Sequence, residues 1–402
     1  MGSGKFEGKK GGKGISEWKK VKLGELYTVH NGLSKSKDFF GSGYPFLTFS
    51  NVFNNWFLPD KLDALVESTD KDRESFSIHK GDVFITRTSE TMDELGMSSV
   101  ALKDYPNATF NGFTKRLRPK SDDILPEYIG YYLRSKKFRN KFLAFSSMTT
   151  RASLANGDLL NMEVEVPEKN VQRNIANILL RYDSLIENYQ KQIKLLEESA
   201  QRLYKEWFVD FRFPGHENTK IVDGVPEGWD NIKVGDLLCK IKKTKQVPTN
   251  CYKKTGCIPI IDQGKDYIAG FTDDNECLIK VEKSPYIVFG DHTRILKYIN
   301  FSFAKGADGT QLIMSNDQKR MPQNLLYCSL INIDLSDYSY ARHFKYLKEE
   351  KILLPSEGIA KKYNEMVSPI YINIKNYRNQ IHKLTETRDR LLPKLMSEEI
   401  EV

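Results

Sequence analysis

Two stretches of the chain carry the same pattern, and they decide how it is organised. The segment IENYQKQIKLL covers residues 186–196, and IKNYRNQIHKL covers residues 374–384, 188 positions later. Six of the eleven positions are identical, namely Ile186, Asn188, Tyr189, Gln192, Ile193 and Leu196 with their counterparts. A fixed offset of this kind indicates an internal duplication, which decides the architecture of a chain before any local pattern does.

Apolar side chains recur around each copy at alternating intervals of four and three. The spacing runs from Ile175 to Trp207 and again from Tyr363 to Leu395, where Arg388 breaks it. A period of 3.5 is typical of a helix that packs against another helix. We therefore predict two long antiparallel helices forming a coiled coil. The seam includes Ile186, Tyr189, Ile193, Leu196, Leu203, Trp207, Ile374, Tyr377, Ile381, Leu384 and Leu391. The alternative, in which each helix packs only on its own domain, remains open.

A second repeat marks the beginning of two globular units. WKKVKLGEL covers residues 18–26, and WDNIKVGDL covers residues 229–237, an offset of 211. Strand-like runs occupy 46–49, 82–86, 258–261 and 286–289, and helical spacing covers 126–145. Turn-forming residues bound each strand-like run. Each unit is therefore predicted to be a mixed α/β (α+β) domain.

These patterns give the expected boundaries. Residues 1–14 are Gly/Lys-rich and form a flexible leader, either left by cloning or a native basic arm. The expected remainder is a first domain at 15–166, a first long helix at 167–213, a linker at 214–227, a second domain at 228–354, a second long helix at 355–397 and a tail at 398–402.

Polar and basic residues gather after the strand-like runs of both domains. Such side chains hydrogen-bond phosphates and base edges. A solvated turn explains any one of them equally well, but their parallel occurrence in two domains favours a DNA interface. The candidates are Lys35, Lys37, Thr86, Arg87, Thr88, Ser89, Asn111, Lys115, Arg116, Lys243, Lys245, Asp291, His292, Thr293, Arg294, Lys297, Asp308, Thr310 and Gln311.

Composition excludes several classes of protein. The 402 residues carry a formal net charge of +8, and five cysteines without a C-x-x-C pair argue against a zinc site or a disulfide framework. No apolar run reaches the ~18 residues that a membrane helix needs, and the N-terminus lacks the apolar core of a signal peptide. P-loop, G-x-G-x-x-G, H-E-x-x-H and G-x-S-x-G motifs are absent from the sequence.

The chain resembles the specificity subunit of type I restriction-modification systems. The likeness lies in the paired openings at Trp18 and Trp229, and in the helix ending LYKEWFVDF at residues 203–211. It also lies in GDHTR at 290–294 and GADGT at 306–310. It covers nearly everything after residue 16.

The resemblance implies two target recognition domains, each reading one half of a bipartite, asymmetric site in double-stranded DNA. It implies that the paired helices hold the two domains apart and dock two modification subunits, which use S-adenosylmethionine to methylate adenine N6. Restriction (motor-nuclease) subunits, which use ATP and Mg²⁺, join that core in the cytoplasm. The specificity subunit itself is expected to be non-catalytic and to bind no metal or cofactor. A stand-alone coiled-coil adaptor and an unrecognised enzyme are the alternatives.

Overall fold

The computed structural model describes residues 18–89, 95–145, 152–153, 155–282, 284–306, 309–338, 342–397, 399–400 and 402. The expected leader at 1–14 lies outside these residues. The chain divides into two compact units. Unit 1 comprises the residues up to Ile186 together with His382–Val402, and unit 2 comprises Glu187–Ile381. Within the described residues, no helix combines the length and the apolar character needed to cross a membrane.

Two long helices dominate the secondary structure. The first long helix is Lys169–Tyr204, which continues as a π-helical turn at Lys205–Val209, and the second long helix is Glu357–Leu395. The second ends two residues beyond Pro393, where a proline disfavours further helix. All positions of the predicted seam are buried or half-buried. The 3.5-residue spacing therefore identified the packed face of both helices.

The seam is antiparallel within each unit. In unit 2, the ring of Tyr189 stacks on that of Tyr377 with centroids 5.1 Å apart, and the Tyr363 hydroxyl donates to the carbonyl of Ala200. As the chain advances along the first helix from Tyr189 to Ala200, the contacted residue of the second helix moves back from Tyr377 to Tyr363, so the two helices run in opposite directions. In unit 1, Asp183 pairs with Arg388 in the same sense. The prediction of a mixed α/β fold with two long antiparallel helices is confirmed.

Unit 1 is built on two sheets. An antiparallel sheet has the strand order Tyr27–Asn31, Thr114–Pro119, Val83–Thr86, Ser98–Val100. A mixed sheet has the order Leu65–Val66, Phe40–Leu47, Thr109–Phe110. Two further pairs join Lys19–Lys22 to Glu163–Val166 and Thr88–Ser89 to Ala152–Ser153. Its shorter helices are Leu23–Leu26, Lys37–Phe39 (3-10), Phe49–Asn54, Asp70–Ser75, Pro126–Arg134, Lys136–Phe145 and Asn156–Asn161.

Unit 2 repeats this plan with shorter connections. A mixed sheet has the order Gly270–Thr272, Ile258–Ile261, Phe303–Lys305, Leu278–Ile279, and an antiparallel sheet has the order Leu296–Ile299, Tyr286–Gly290, Thr310–Ile313. Asp230–Lys233 pairs with Lys351–Leu354, and Ile221–Val222 with Val225–Pro226. Its helices are Gln323–Ile331 and His343–Glu349, with 3-10 turns at His216–Asn218, Val234–Leu237, Thr249–Cys251 and Asn275–Cys277.

The backbone register reproduces the duplication seen in the sequence. Lys19 pairs with Val166 in unit 1, and Asp230 pairs with Leu354 in unit 2. The first members of these pairs are 211 apart and the second are 188 apart, the same two offsets as in the sequence. A backbone hydrogen bond that follows each strand pair is duplicated as well. Leu23 N donates to Met162 O and Val234 N donates to Glu350 O, each at 2.8 Å, and the donors and acceptors are separated by the same two offsets.

Two local predictions need correction, and a third gains a structural detail. The helix predicted over 126–145 is two helices, because Ser135 has extended backbone and its hydroxyl accepts from the amide of Phe138 as a cap. The strand predicted at 46–49 ends at Leu47, and Thr48 caps a helix that begins at Phe49. The predicted linker at 214–227 contains the hairpin Ile221–Pro226.

Candidate nucleic-acid interface

Three segments of unit 1 meet at one place and form what we term cluster 1: loop 32–39, Arg87 and turn 111–113. Gly112 N donates to Leu33 O at 2.8 Å, and Arg87 N donates to Phe113 O at 3.0 Å. Added at Gly112, a Cβ would lie 2.3 Å from the hydroxyl of Ser34, so a side chain here would displace that hydroxyl. Cluster 1 therefore brings together Lys35, Lys37, Arg87 and Asn111, which are far apart in sequence.

The cations of cluster 1 differ in how freely they can meet a phosphate. Lys37 is exposed, whereas Lys35 forms a 2.9 Å ion pair with Asp72 and lies over the ring of Phe39. The Lys35 hydrogen bond is the main reason that the pKa of Asp72 falls to about 2. The Arg87 guanidinium is half-buried and lies 3.4 Å from the carbonyl of Gly112. Lys37 and Arg87 are thus the side chains best placed for DNA.

Other candidates in unit 1 are buried and hold the domain together. Arg116 donates to Ser77 O at 2.6 Å, and burial lowers its pKa to about 10. Lys115 donates to the side chain of Asn156, and burial lowers its pKa as well. The buried hydroxyl of Thr86 accepts from Met97 N at 2.9 Å. In this conformation, none of these three side chains offers a surface to DNA.

The last candidates of unit 1 are only partly described. Thr88–Ser89 forms a strand with Ala152–Ser153, but the side chains of Thr88 and Ser89 lie outside the described part. Asn111 is half-buried, and its side-chain oxygen accepts from Phe113 N at 2.7 Å. Asn111 therefore shapes its own turn.

Unit 2 has a corresponding arrangement that we term cluster 2: loops 262–266 and 290–295, and residues 309–311. Its central residue is Gln263. The Gln263 side-chain oxygen accepts from His292 N at 3.2 Å, and its carbonyl accepts from the Thr293 hydroxyl at 2.6 Å. A Cβ at Gly309 would lie 2.7 Å from the Gln263 amide nitrogen. His292, Thr293 and Arg294 are exposed on this frame, and Gln311 lies at its half-buried edge.

Two buried residues support cluster 2 from below. Lys297 donates to the carbonyls of Asp262 and Asp266, and burial lowers its pKa. The Asp291 carboxylate accepts from Phe344 N at 2.8 Å, while Asp291 N donates to Gly309 O at 2.7 Å. Thr310, in the adjacent strand, is buried. Lys297, Asp291 and Thr310 therefore shape the loops of cluster 2. The exposed residues 292–294 are the better candidates for DNA contact.

Arg294 is the basic residue of cluster 2. Its backbone has a φ of 62° in the left-handed region, which turns the chain sharply after Thr293. Its guanidinium donates to Leu335 O at 2.9 Å. Asp308, another candidate in this region, lies outside the described residues.

Unit 2 also has a basic loop at residues 243–245, whose positive charge is partly neutralised by nearby carboxylates. Lys245 lies 2.9 Å from Asp274 and 2.6 Å from Glu276, and the hydrogen bonds to these carboxylates raise its pKa. Lys243, two residues earlier, is exposed. Among the described residues, no three His, Cys, Asp or Glu side chains lie close enough together to hold a metal ion.

Sequence reasoning missed two residues of these clusters. Gln263 is the second residue after the strand Ile258–Ile261, so the rule that polar residues after strands form a site could have found it. Phe113 is 60% exposed at the tip of its turn. A phenylalanine beside a hairpin turn is ordinarily a core residue, and only the structure shows its exposure.

Comparison with known proteins finds similar sequences. Residues 15–198 match the family model described as "Type I restriction modification DNA specificity domain". The MjaIX type I restriction enzyme specificity subunit of Methanocaldococcus jannaschii is 27% identical over 97% of this chain and 95% of its own length. The HindI specificity subunit of Haemophilus influenzae is 27% identical over 49% of this chain and 42% of its own.

A solved structure supports the fold. The crystal structure of a type I restriction-modification system S subunit from M. genitalium matches with a TM-score of 0.56 at 18% identity. The match covers 96% of this chain and 97% of that one. The fold of this chain is therefore shared with an experimentally determined protein over nearly its whole length.

Proposed function

We propose that this chain, which belongs to the type I restriction-modification DNA specificity family, reads a bipartite, asymmetric DNA site with one half contacted by each unit. DNA recognition is the task of the family. The division of the site between the two units is our inference from the duplicated fold.

The duplicated strand register is the observation that carries the proposal. Equivalent strand pairs at 19–22 and 230–233 open two units of one plan, yet the clusters that these units carry differ in side chains. Cluster 1 presents Lys37, Arg87 and Phe113, whereas cluster 2 presents His292, Thr293 and Arg294. Two unlike clusters on like frames favour two unlike half-sites.

Linking two DNA-reading units also compensates for the modest affinity of each unit for DNA. The net charge of +8 is spread over 402 residues, and several of the candidate cations, such as Lys35 and Lys245, are already bonded within the chain. Electrostatic attraction by either unit alone is therefore modest. Once one unit is bound, the other meets its half-site at high effective concentration, and the two selectivities multiply.

The long helices are the proposed docking site for two modification subunits, which methylate adenine N6 with S-adenosylmethionine. Large apolar side chains are exposed along them and suit a protein partner. They are Leu185, Leu195, Met366 and Ile372. Restriction subunits using ATP and Mg²⁺ are proposed to join this core in the cytoplasm, and the chain itself to perform no chemistry.

A genome-wide map of N6-methyladenine tests the proposal. Cells expressing the modification subunits with this chain should methylate one two-part sequence with a fixed gap, and cells expressing the modification subunits alone should lack that methylation. Methylation that ignores the presence of this chain, or that marks a single uninterrupted sequence, would contradict a bipartite reader.

A further inference from the structure

We propose that Phe113 of unit 1 makes an apolar contact with a base of the half-site that unit 1 reads, and so determines the identity of one base pair there. The inference rests on the proposed function and adds to it a specific contact residue. The chemistry of this contact differs from that of the Lys, Arg and Asn side chains around it.

Exposure is the first observation. The Phe113 side chain is 60% exposed, compared with 41%, 40% and 39% for Phe39, Phe40 and Tyr44 in the same unit. The other three have aromatic or cationic neighbours: Lys35 lies over Phe39, Phe40 packs edge-on against Phe46, and Arg73 lies over Tyr44. Among the aromatic rings that the structure describes in this unit, Phe113 therefore has the most surface left for a ligand.

The backbone of Phe113 is fixed on both sides. Its N–H donates to the Asn111 side chain at 2.7 Å, and its carbonyl accepts from Arg87 N at 3.0 Å. The hydroxyl of Thr114 donates to Asn111 O at 2.7 Å, and Gly112 N donates to Leu33 O. A ring on a fixed turn loses little conformational entropy on binding, which favours a contact residue.

The surroundings indicate what the ring would meet. Arg87 and Lys37, in the same cluster, carry the positive charge that attracts a phosphate backbone. A phenyl ring cannot accept or donate hydrogen bonds to phosphate. On DNA its favourable partners are the thymine methyl group and the face of an unstacked base. The first is present only at thymine, and the second is most accessible at base steps that unstack easily. Phe113 is thus placed to affect specificity more than overall affinity.

Unit 2 lacks this feature at the equivalent turn. By strand register, Gly309 takes the place of Phe113, because Asp291 N donates to Gly309 O as Arg87 N donates to Phe113 O. The buried Thr310 takes the place of the buried Thr114. At this turn, the aromatic side chain is consequently present in unit 1 and missing from unit 2. It contributes to the difference between the two half-sites.

The experiment uses the full complex with its modification subunits and compares methylated sequences for three variants. Phe113→Ala should make one base pair of one half-site degenerate, with at least about a tenfold loss of preference, corresponding to roughly 1.4 kcal/mol. Phe113→Leu should retain part of that preference, because an apolar surface remains. Phe40→Ala removes a phenyl ring from the same unit and should leave both half-sites unchanged.

Two results separate the possible failures. A Phe113→Ala complex that keeps the wild-type sequence preference at every position, with an unchanged melting temperature, overturns the role of Phe113 and leaves the bipartite reader intact. Equal loss at all positions also overturns it, because that pattern indicates a general loss of affinity. A wild-type complex that methylates no two-part site refutes the proposed function itself.

Discussion

Arg388 of the second long helix and Asp183 of the first form an ion pair of 2.6 Å at the one position where the apolar seam is interrupted. The two side chains are 12% and 23% exposed. The guanidinium also lies 5.0 Å from the ring of Trp56, and the Tyr131 hydroxyl donates to the same carboxylate. At this position, Arg388 and Asp183 therefore connect the two helices to each other and to Tyr131 and Trp56 of unit 1.

Replacing Arg388 with alanine should destabilise unit 1. The change leaves Asp183 and Tyr131 without their cation in a mostly buried place. Removing one partner of a fully buried pair costs about 3–5 kcal/mol, and because this pair is partly exposed we expect a loss of about 2–4 kcal/mol. Chemical denaturation of the purified chain measures the loss. Arg390→Ala is the matched control, because that arginine is 80% exposed and its pair with Glu386 is 3.8 Å long. Equal effects of the two variants would contradict a buried link.

Two glycines related by the duplication should be equally intolerant of a side chain. A Cβ at Gly24 would lie 3.1 Å from Leu160 O, and a Cβ at Gly235 would lie 3.1 Å from Lys348 O. We expect each Gly→Ala change to cost about 1–2 kcal/mol of unfolding free energy through overpacking.

The control for these changes is Gly358→Ala in the first turn of the second long helix, where a Cβ meets nothing within 4 Å. That variant should be more stable than the wild type by about 0.5–1 kcal/mol, because alanine loses less entropy in a helix than glycine. If Gly24→Ala and Gly235→Ala proved as benign as Gly358→Ala, the close approach would not be a constraint.

The repeated parts of this fold could be predicted from the sequence, and the clusters could be predicted only in part. The two offsets anticipated that Lys19–Val166 and Asp230–Leu354 occupy equivalent places, since a duplicated frame keeps its apolar spacing. Arg116 and Lys297 show the limit. A lysine or arginine can meet a phosphate or a carbonyl of its own chain, and the long apolar stem permits both. Only the tertiary approach of Ser77 and Asp262 decides between them.

The ion pair between Lys35 and Asp72 gives cluster 1 a pH dependence. The pKa of Asp72 is about 2, below its ordinary value of 3.8. The stability that the charged Asp72 carboxylate contributes to the folded state is therefore present above about pH 4 and is lost as the pH falls toward 2. We expect Lys35→Ala to raise this pKa toward the ordinary value, as measured by NMR titration of the carboxyl. Lys71→Ala, an exposed lysine in the same helix, should leave it in place. An unchanged value in Lys35→Ala would attribute the shift to the Thr69 cap alone.

Asp72→Asn should increase the affinity of the complex for DNA without changing the sequence that it reads. The substitution releases Lys35 from its 2.9 Å partner, and asparagine can still cap the helix with Thr69. One more available cation should steepen the dependence of log K on log salt by about 0.9. Asp63→Asn removes the same charge from an exposed side chain of unit 1 and serves as the control. If both variants gained affinity equally, Lys35 would not be the cause.

Arg294→Ala should weaken one half-site only. Arg294 is exposed in cluster 2, and its bond to Leu335 O orients a guanidinium that is suited to a guanine edge. Loss of a base contact should cost about 1–3 kcal/mol of discrimination at one position. The affected half-site should be the one that Phe113→Ala leaves intact, because the two residues belong to different units. Lys254→Ala, which removes a charge from an exposed position of unit 2, should leave both half-sites as they are.

Uniform weakening on every sequence would make Arg294 a phosphate contact, and an effect on the same half-site as Phe113 would contradict the assignment of one half-site to each unit.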